Sequence, residues 1–285
     1  MKAREMSDRE RTSTGWDRWY GIATSFIAPA TFISALLFYF GYVSSRAQFS
    51  YFGVDVDTLG LDTREYVMRS PPALLVPALL LLLIGAATAA LLAGVRSGRV
   101  GQRSIGRLGL GGAVLGGAGL VMVFLYAWIG AWIWYPLVTP LVISLGAGLV
   151  AIVGRQRGLP LGVVVFVTLV AVVSTFWATA TLAQWTGRGL AENTAENLDD
   201  LPAVVLDTTE PLYLRDGVTR QESLPPQGTV PEGQTFRYRY YGLRLLVQSG
   251  DRMFLVPERW TPSNSTLVFD MSQVRIKYRF VNQPP

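Results

Sequence analysis

The sequence contains no cysteine and no histidine, and these two absences exclude several kinds of chemistry. Without cysteine, no disulfide can stabilise a domain outside the cytoplasm, and no thiolate can serve as a nucleophile or metal ligand. Without histidine, the chain lacks the most frequent transition-metal ligand and the usual general base of enzymes. We therefore expect a protein that is not an enzyme and that uses no cofactor or metal.

Charged residues are also scarce, since they make up 16% of the 285 residues, whereas hydrophobic residues make up 50%. Soluble domains are about a quarter charged. The charges avoid several long apolar segments, and a hydrocarbon core of about 30 Å needs roughly 20 apolar residues in a helix. The sequence predicts a membrane α-helical bundle. About five transmembrane helices are expected, at Gly21–Val43, Ala73–Val95, Leu108–Trp134, Leu137–Gly154 and Leu159–Trp185.

The third and fourth of these helices are separated on the basis of proline. Tyr135, Pro136 and Pro140 fall in the middle of an apolar region that is too long for one helix, so a tight turn is expected there. The fourth helix is short. If it did not cross the bilayer, the side of the C-terminal domain would change.

Lysine and arginine are concentrated in alternate segments between the apolar blocks. Five basic residues precede Trp19, four arginines lie between Val95 and Leu108, and Arg155 and Arg157 separate the last two helices. Because basic segments stay in the cytoplasm, a cytoplasmic tail (1–20), a transmembrane domain (21–186) with an outer loop (44–72) and an extracytoplasmic C-terminal domain are predicted, in the cell membrane. The net charge of +5 follows from this topology, so no nucleic-acid partner is expected.

Hydroxyl groups and glycines are the main polar or small features of the helices. Thr168, Thr175 and Thr179 share one face of the last helix and either line a narrow polar path or bond to neighbouring helices and to their own carbonyls; we favour packing. Gly112 and Gly116 form a small-xxx-small pair that permits close helix contact. Packing within the chain is favoured, and a homo-oligomer stays open.

The outer loop contains the segment Tyr51–Pro72, in which several carboxylates stand among apolar residues. Asp55, Asp57 and Glu65 suggest a calcium site, because hard cations prefer clustered carboxylates. The calcium-loop pattern fails, however, since Leu59 occupies a position that requires aspartate or asparagine. A structural role for the carboxylates is therefore favoured.

A helix-capping pattern gives the simpler interpretation of the same segment. Asp62 followed three residues later by Glu65 is a capping box, which predicts a short helix that ends near Arg69, before Pro71. The apolar side of this helix is expected to lie against the membrane surface or the C-terminal domain.

The chain changes character after Trp185. Residues 187–202 are polar and predict a linker, and 203–285 predict a small all-β domain, either a sandwich or a partly open barrel. Two-residue alternation predicts strands at Ala203–Leu206, Leu212–Leu214, Thr235–Tyr241, Leu243–Val247, Arg252–Val256, Leu267–Phe269 and Val274–Phe280.

Two of these strands have cations at alternate positions. If the strands lie side by side, one sheet face carries Arg237, Arg239, Arg275, Lys277 and Arg279. Such a face could bind anionic lipid headgroups, an envelope polymer or an acidic protein. Alternatively it is a solvated face balanced by local acids such as Glu258 and Asp270, and we favour this second interpretation.

The segments YFGVDVDTLGLDTREYVMRSPP and YRYYGLRLLVQSGDRMFLVPERW, joined by hydrophobic spans with arginine-rich inner loops, resemble those of a group of uncharacterised integral membrane proteins from actinobacteria. The resemblance implies no activity. Together these features predict a protein that resides in the lipid bilayer and binds another membrane or envelope protein or an envelope component, as a sensor, assembly factor or accessory subunit. The alternative is a passive pore or small-solute channel.

Overall fold

The computed structural model describes residues 30–97, 102–214, 217–224 and 233–279, and it consists of a helical part followed by one antiparallel sheet. Helix α1 is helical from residue 30 to residue 51. The later helices are α2 (Val56–Leu59), α3 (Thr63–Arg96), α4 (Gln102–Phe124), α5 (Tyr126–Ile129), α6 (Tyr135–Gln156), α7 (Leu161–Glu196) and a 3-10 helix (Leu198–Asp200). The predicted tail 1–20 and the start of the first predicted span lie outside the described residues.

Three helices in the described part of the chain are long and apolar enough to cross a membrane: Ser104–Phe124, Tyr135–Gln156 and Leu161–Glu196. Large apolar side chains on them face outward, and Phe124 and Leu161 are 86% and 78% exposed. Apolar surface of this extent is unusual on a soluble protein and suits contact with lipid. The helical part is therefore compatible with membrane insertion, while the number of five spans and their orientation stay predictions.

Helix α3 corrects the expected helix end near Arg69. It runs without a break from Thr63 to Arg96, through Pro71. Proline has no N–H, so Pro71 leaves the carbonyl of Val67 without its helical donor. The Ser70 hydroxyl donates to that carbonyl at 2.7 Å. This local substitute lets the capped loop helix and the second predicted span form one continuous helix.

The two helices predicted in this apolar region are present as α4 and α6, but the turn expected at Tyr135 and Pro136 lies earlier, at residues 130–134, because α6 begins at Tyr135. Pro136 lies in the first turn, where a missing N–H is tolerated. Pro140 is deeper in the helix and frees the carbonyl of Pro136. The hydroxyl of Thr181 on α7 donates to that carbonyl at 3.1 Å, so the neighbouring helix supplies the missing hydrogen bond.

Glycines bring α4 and α6 into backbone contact. A Cβ atom added to Gly146 would lie 2.3 Å from the backbone nitrogen of Gly116, and one added to Gly112 would meet Leu149 at 2.8 Å. No side chain fits between helices at such separations, so only glycine permits this approach. The predicted close contact at Gly112 and Gly116 is thus present within the chain.

Helix α1 packs against both α3 and α7. A Cβ atom on Gly41 would lie 1.9 Å from the carbonyl oxygen of Tyr66, and one on Gly187 would lie 2.0 Å from that of Ser44. Helix α7 extends well beyond Trp185, to Glu196. Much of the segment 187–202, expected to be a linker, is therefore helical and holds the sheet directly on the end of the bundle.

The C-terminal domain is a six-stranded antiparallel sheet in the order β5-β4-β3-β1-β6, with β2 pairing with β3. The strands are β1 (Ala203–Thr208), β2 (Arg220–Ser223), β3 (Tyr238–Ser249), β4 (Arg252–Pro257), β5 (Leu267–Asp270) and β6 (Arg275–Arg279). The described strands thus form one sheet, not the two sheets of a sandwich. Gly242, with φ of 84°, bends β3 between the part paired with β2 and the part paired with β4.

Three strand assignments differ from the expectation. Leu212–Leu214 is not a strand, although Leu212 and Leu214 still pack on the core of the sheet. Arg220–Ser223 is a strand that the sequence did not predict, because its side chains are all exposed and carry no apolar alternation. The two segments expected on either side of Gly242 are one strand, since glycine adopts the required positive φ without ending the pairing.

The two faces of the sheet bury different residues. One face forms the domain's own core, with Leu206, Tyr240 and Leu255 almost fully buried. On the other face, Phe254 and Val256 contact the segment that follows α1. Each such side chain contributes about 2 kcal/mol when fully buried, so this second face attaches the domain to the bundle.

Candidate functional site

The segment Tyr51–Pro72 connects the bundle to the sheet. Phe52 is fully buried and packs on Val256 and Trp260, with its ring 5.0 Å from that of Trp260. The hydroxyl of Thr266 donates to the backbone carbonyl of Phe52 at 2.6 Å. The apolar side of the helix that begins at Thr63 was expected to contact either the membrane surface or the C-terminal domain, and Tyr66 indeed packs in one cluster with Phe254 of the sheet.

The carboxylates of the segment organise the segment itself. The side chain of Asp55 accepts from the backbone N–H of Asp57 and caps α2, while Glu65 accepts from the backbone N–H of Asp62, as the capping box predicts. Asp57 accepts a hydrogen bond from the hydroxyl of Tyr42 at 3.1 Å. Among the described residues, no group of carboxylates is arranged to hold a metal ion.

Four of the five predicted cations, namely Arg239, Arg275, Lys277 and Arg279, share one face of the sheet, although β3 and β6 are not adjacent strands. Strand β1 lies between β3 and β6, and the register sets Asp207 opposite Arg239 on one side and opposite Arg275 on the other. Lys277 and Arg279 continue the same face along β6 by two-residue alternation. Arg237 precedes β3, and its backbone N–H donates to Thr208.

Asp207 lies at the centre of this face and was not predicted from the sequence. Its side chain is 1% exposed and accepts two hydrogen bonds from Arg239, at 2.6 and 3.0 Å. These bonds lower the pKa of the Asp207 carboxyl, and the nearby charges of Lys277 and Arg275 lower it further against the opposing effect of burial. The same pair raises the pKa of the Arg239 guanidinium. Arg239 is therefore committed to a structural ion pair.

The other four predicted cations differ from Arg239. Arg237, Arg275, Lys277 and Arg279 are exposed, and none forms an ion pair within the described part of the chain. Arg275 lies over the ring of Phe236, 4.7 Å from its centroid. We name these four residues the basic face.

Glu258 and Asp270, the acids expected to balance the cations, form no ion pair in the described part of the chain. Asp270 instead accepts hydrogen bonds from the backbone and hydroxyl of Ser272, which lower the pKa of its carboxyl. The register places Glu222 opposite Arg239, and Asp207 supplies the buried charge. Neither Glu222 nor Asp207 forms an ion pair with any of the four exposed cations.

The basic face is continuous with the part of the sheet that packs on the bundle. Across the sheet, Arg279 pairs with Ala203, Ala203 pairs with Arg244, and Arg244 pairs with Val256. Residues paired in this way point to the same side of a sheet. Arg244 also bonds to Asp199 at 2.5 Å and to the carbonyl of Leu201, so the sheet is tied to the end of α7.

The threonines of the predicted polar path bond to backbone within the bundle. Thr175 and Thr179 donate to carbonyls one turn earlier, at 2.8 and 2.9 Å, and Thr175 also contacts the hydroxyl of Ser144 on α6. Thr168 is exposed and donates to Val164 at 2.8 Å. These bonds fit helix packing, which was the favoured interpretation of the three residues.

Comparisons with protein-family models, with curated protein sequences and with solved structures found no match for this chain. The resemblance to actinobacterial membrane proteins therefore stays a prediction.

Proposed function

We propose that this chain is a non-enzymatic integral membrane protein whose C-terminal sheet domain binds an acidic segment of another membrane or envelope component. In this proposal about five helices anchor the chain, the N-terminus is cytoplasmic and the sheet domain is extracytoplasmic. The protein acts as a sensor, an assembly factor or an accessory subunit.

The observation that carries this proposal is the basic face. Its three cations on β6, Arg275, Lys277 and Arg279, are exposed, have no ion-pair partner among the described residues, and lie on the side of the sheet that packs on the bundle. A cationic surface favours encounter with acidic partners and sets their orientation. Because this surface is next to the bundle, a partner that itself emerges from the membrane reaches it most directly.

The rigidity of the attachment supports the same proposal. Phe52, Thr266 and Arg244 join the sheet to α1 and to the end of α7 by packing, a hydrogen bond and an ion pair. A recognition surface held in one orientation loses less conformational entropy on binding than one on a flexible tether.

Crosslinking in native membranes tests the proposal. The full chain is compared with a variant that carries Arg275→Glu, Lys277→Glu and Arg279→Glu, and with a control that reverses three exposed arginines elsewhere, Arg64→Glu, Arg252→Glu and Arg259→Glu. We expect a stoichiometric partner with the parent and the control, and its loss with the β6 variant. Recovery of no partner in several detergents, or equal recovery with the β6 variant, contradicts the proposal.

A further inference from the structure

A groove of about 660 Å³ runs between α1 and α7 at the end of the bundle that carries the sheet. Its α1 wall includes Tyr39, Arg46 and Tyr51, and its α7 wall includes Trp185 and Arg188. The wall residues of α1 recur every three or four positions and so form one continuous stripe. No part of the basic face contributes to this groove.

The groove changes from apolar to cationic along its length. Near its apolar end the ring of Tyr39 lies 4.9 Å from that of Phe176, and Trp177 is 41% exposed on the same helix. Arg46 and Arg188 lie about two and three helical turns further toward the sheet on their helices. Trp185, whose ring contacts that of Trp134 at 5.3 Å, lies between these two regions. Aromatic residues of this kind mark the membrane–water interface.

The charges at the cationic end are available to a ligand. No carboxylate lines the groove, and Asp57, which accepts a hydrogen bond from the hydroxyl of the groove residue Tyr42, lies at its rim. Arg188 contacts Glu192 at 3.7 Å with both side chains more than half exposed, and such surface pairs are weak. Arg46 forms no ion pair in the described part of the chain. Two guanidinium groups therefore line a groove whose walls contain no carboxylate, and only Arg188 has a weak surface ion pair, with Glu192, in the described part of the chain.

We propose that this groove binds an anionic membrane lipid, with its phosphate held by Arg46 and Arg188 and an acyl chain along the apolar end. Guanidinium groups bind phosphate through paired, charge-assisted hydrogen bonds. An amphiphile matches the graded walls, whereas a free anion would leave the apolar end unoccupied. Gln184 and Tyr51 also line the groove, and their amide and hydroxyl groups would supply further donors for headgroup oxygens.

Lipid retention by the full chain, purified in a neutral detergent and measured by native mass spectrometry, tests this proposal. The probes are dioleoyl phosphatidylglycerol, dioleoyl phosphatidylcholine, dioleoylglycerol and inorganic phosphate. We expect phosphatidylglycerol to bind about ten-fold or more tightly than dioleoylglycerol, as loss of charge-assisted hydrogen bonds predicts. Phosphatidylcholine is expected to bind more weakly than phosphatidylglycerol, because its choline cation opposes both arginines.

Substitutions at the two arginines separate specific from general lipid contact. Arg46→Gln and Arg188→Gln are each expected to weaken phosphatidylglycerol binding about ten-fold. Arg46→Lys is expected to retain part of the binding, since it keeps the charge but loses the paired geometry. Arg64→Gln removes an exposed arginine outside the groove and is expected to leave binding unchanged. Both groove arginines have exposed or solvent-facing side chains, so these variants are expected to fold.

Two results overturn the proposal. If all lipids bind equally and the arginine variants retain them, the lipid contact is unspecific. If inorganic phosphate competes as strongly as phosphatidylglycerol, the groove is a site for a soluble anion. Neither result depends on the basic face, so failure here is distinguishable from failure of the proposed partner binding.

Discussion

The hydroxyl of Thr266 donates a 2.6 Å hydrogen bond to the backbone carbonyl of Phe52, and the two residues are more than 200 positions apart in the sequence. This bond joins the loop before β5 to the segment that leaves α1. The ring of Phe52 is fully buried at the same place. The bundle and the sheet therefore share a packed interface as well as a chain connection.

Phe52→Ala is expected to loosen this interface and to lower the free energy of unfolding by about 3 kcal/mol, the usual cost of removing a buried phenylalanine ring. Thermal unfolding in detergent measures the loss, and limited proteolysis after α7 should become faster. Met68→Ala is the control, because Met68 is 69% exposed on α3 and its truncation should change stability by less than about 0.5 kcal/mol. Equal stability of the two variants would show that the interface contributes little.

We expect Asp207 to make the stability of the sheet domain sensitive to acid. In an unfolded chain an aspartate has a pKa of about 3.9. The hydrogen bonds from Arg239 lower the pKa of the folded carboxyl, so its stabilisation is complete above about pH 4 and is lost as the pH falls through the folded value. We expect unfolding curves of the full chain to shift to lower temperature over this acidic range.

Asp207→Asn tests the origin of that acid sensitivity. Removing one member of a buried pair costs about 3 kcal/mol at neutral pH, and the part of the acid-dependent loss that belongs to Asp207 should disappear. Asp200→Asn removes an exposed carboxylate near the same end of the bundle and serves as the control. An acid profile that is unchanged in Asp207→Asn would assign the effect to other groups.

Gly146 and Gly148 form a matched pair on α6. Gly146→Ala forces a Cβ atom against the backbone of Gly116 and is expected to destabilise the bundle by about 1–3 kcal/mol. A Cβ atom on Gly148 meets nothing within 4 Å, so Gly148→Ala should leave stability unchanged or raise it by up to about 1 kcal/mol. Thermal unfolding in detergent compares the two variants, and destabilisation of equal size in both would contradict the close contact of α4 and α6.

The proposed orientation predicts opposite results for two reporter fusions. A reporter that works only in the cytoplasm should be active when fused after Gly98. A reporter that works only outside the cytoplasm should be active when fused after Pro285. Protease added to intact cells should cut the sheet domain. Protection of that domain in intact cells, with cleavage after lysis, would invert the orientation.

Flux through liposomes separates the binding proposal from the pore hypothesis. Since Thr175 and Thr179 already bond to backbone carbonyls, we expect no flux of ions or small neutral solutes above that of empty vesicles. Flux that is abolished by Thr175→Val would instead support a polar path along α7.

The sequence predicted the helical and sheet parts because their apolar patterns are long and clear. It did not predict the continuity of α3 through Pro71, or the partner of the carbonyl that Pro140 frees in α6, because the effect of a proline depends on whether a hydroxyl reaches the freed carbonyl. Ser70 is a neighbour in sequence, but Thr181 lies on another helix. Such a remedy requires the tertiary structure.

The basic face was predictable in composition but not in arrangement. Alternation along β6 placed three cations on one side of a strand, as the structure shows. The strand order was not predicted, however. Strand β1 lies between β3 and β6, and it places Asp207 between Arg239 and Arg275. The sequence of β1 contains one acid among apolar residues, which by itself does not indicate a buried ion pair.

Helix α7 has 36 residues, which gives it a length of about 54 Å at the rise of an α-helix. A hydrocarbon core takes up only about 30 Å of that length. In the proposed membrane placement the remainder lies outside the hydrocarbon core, where Ala191 packs in one cluster with Val256 of the sheet. Because the same helix would then contact both lipid and sheet, we expect any reorientation of the sheet to be accompanied by a tilt of α7.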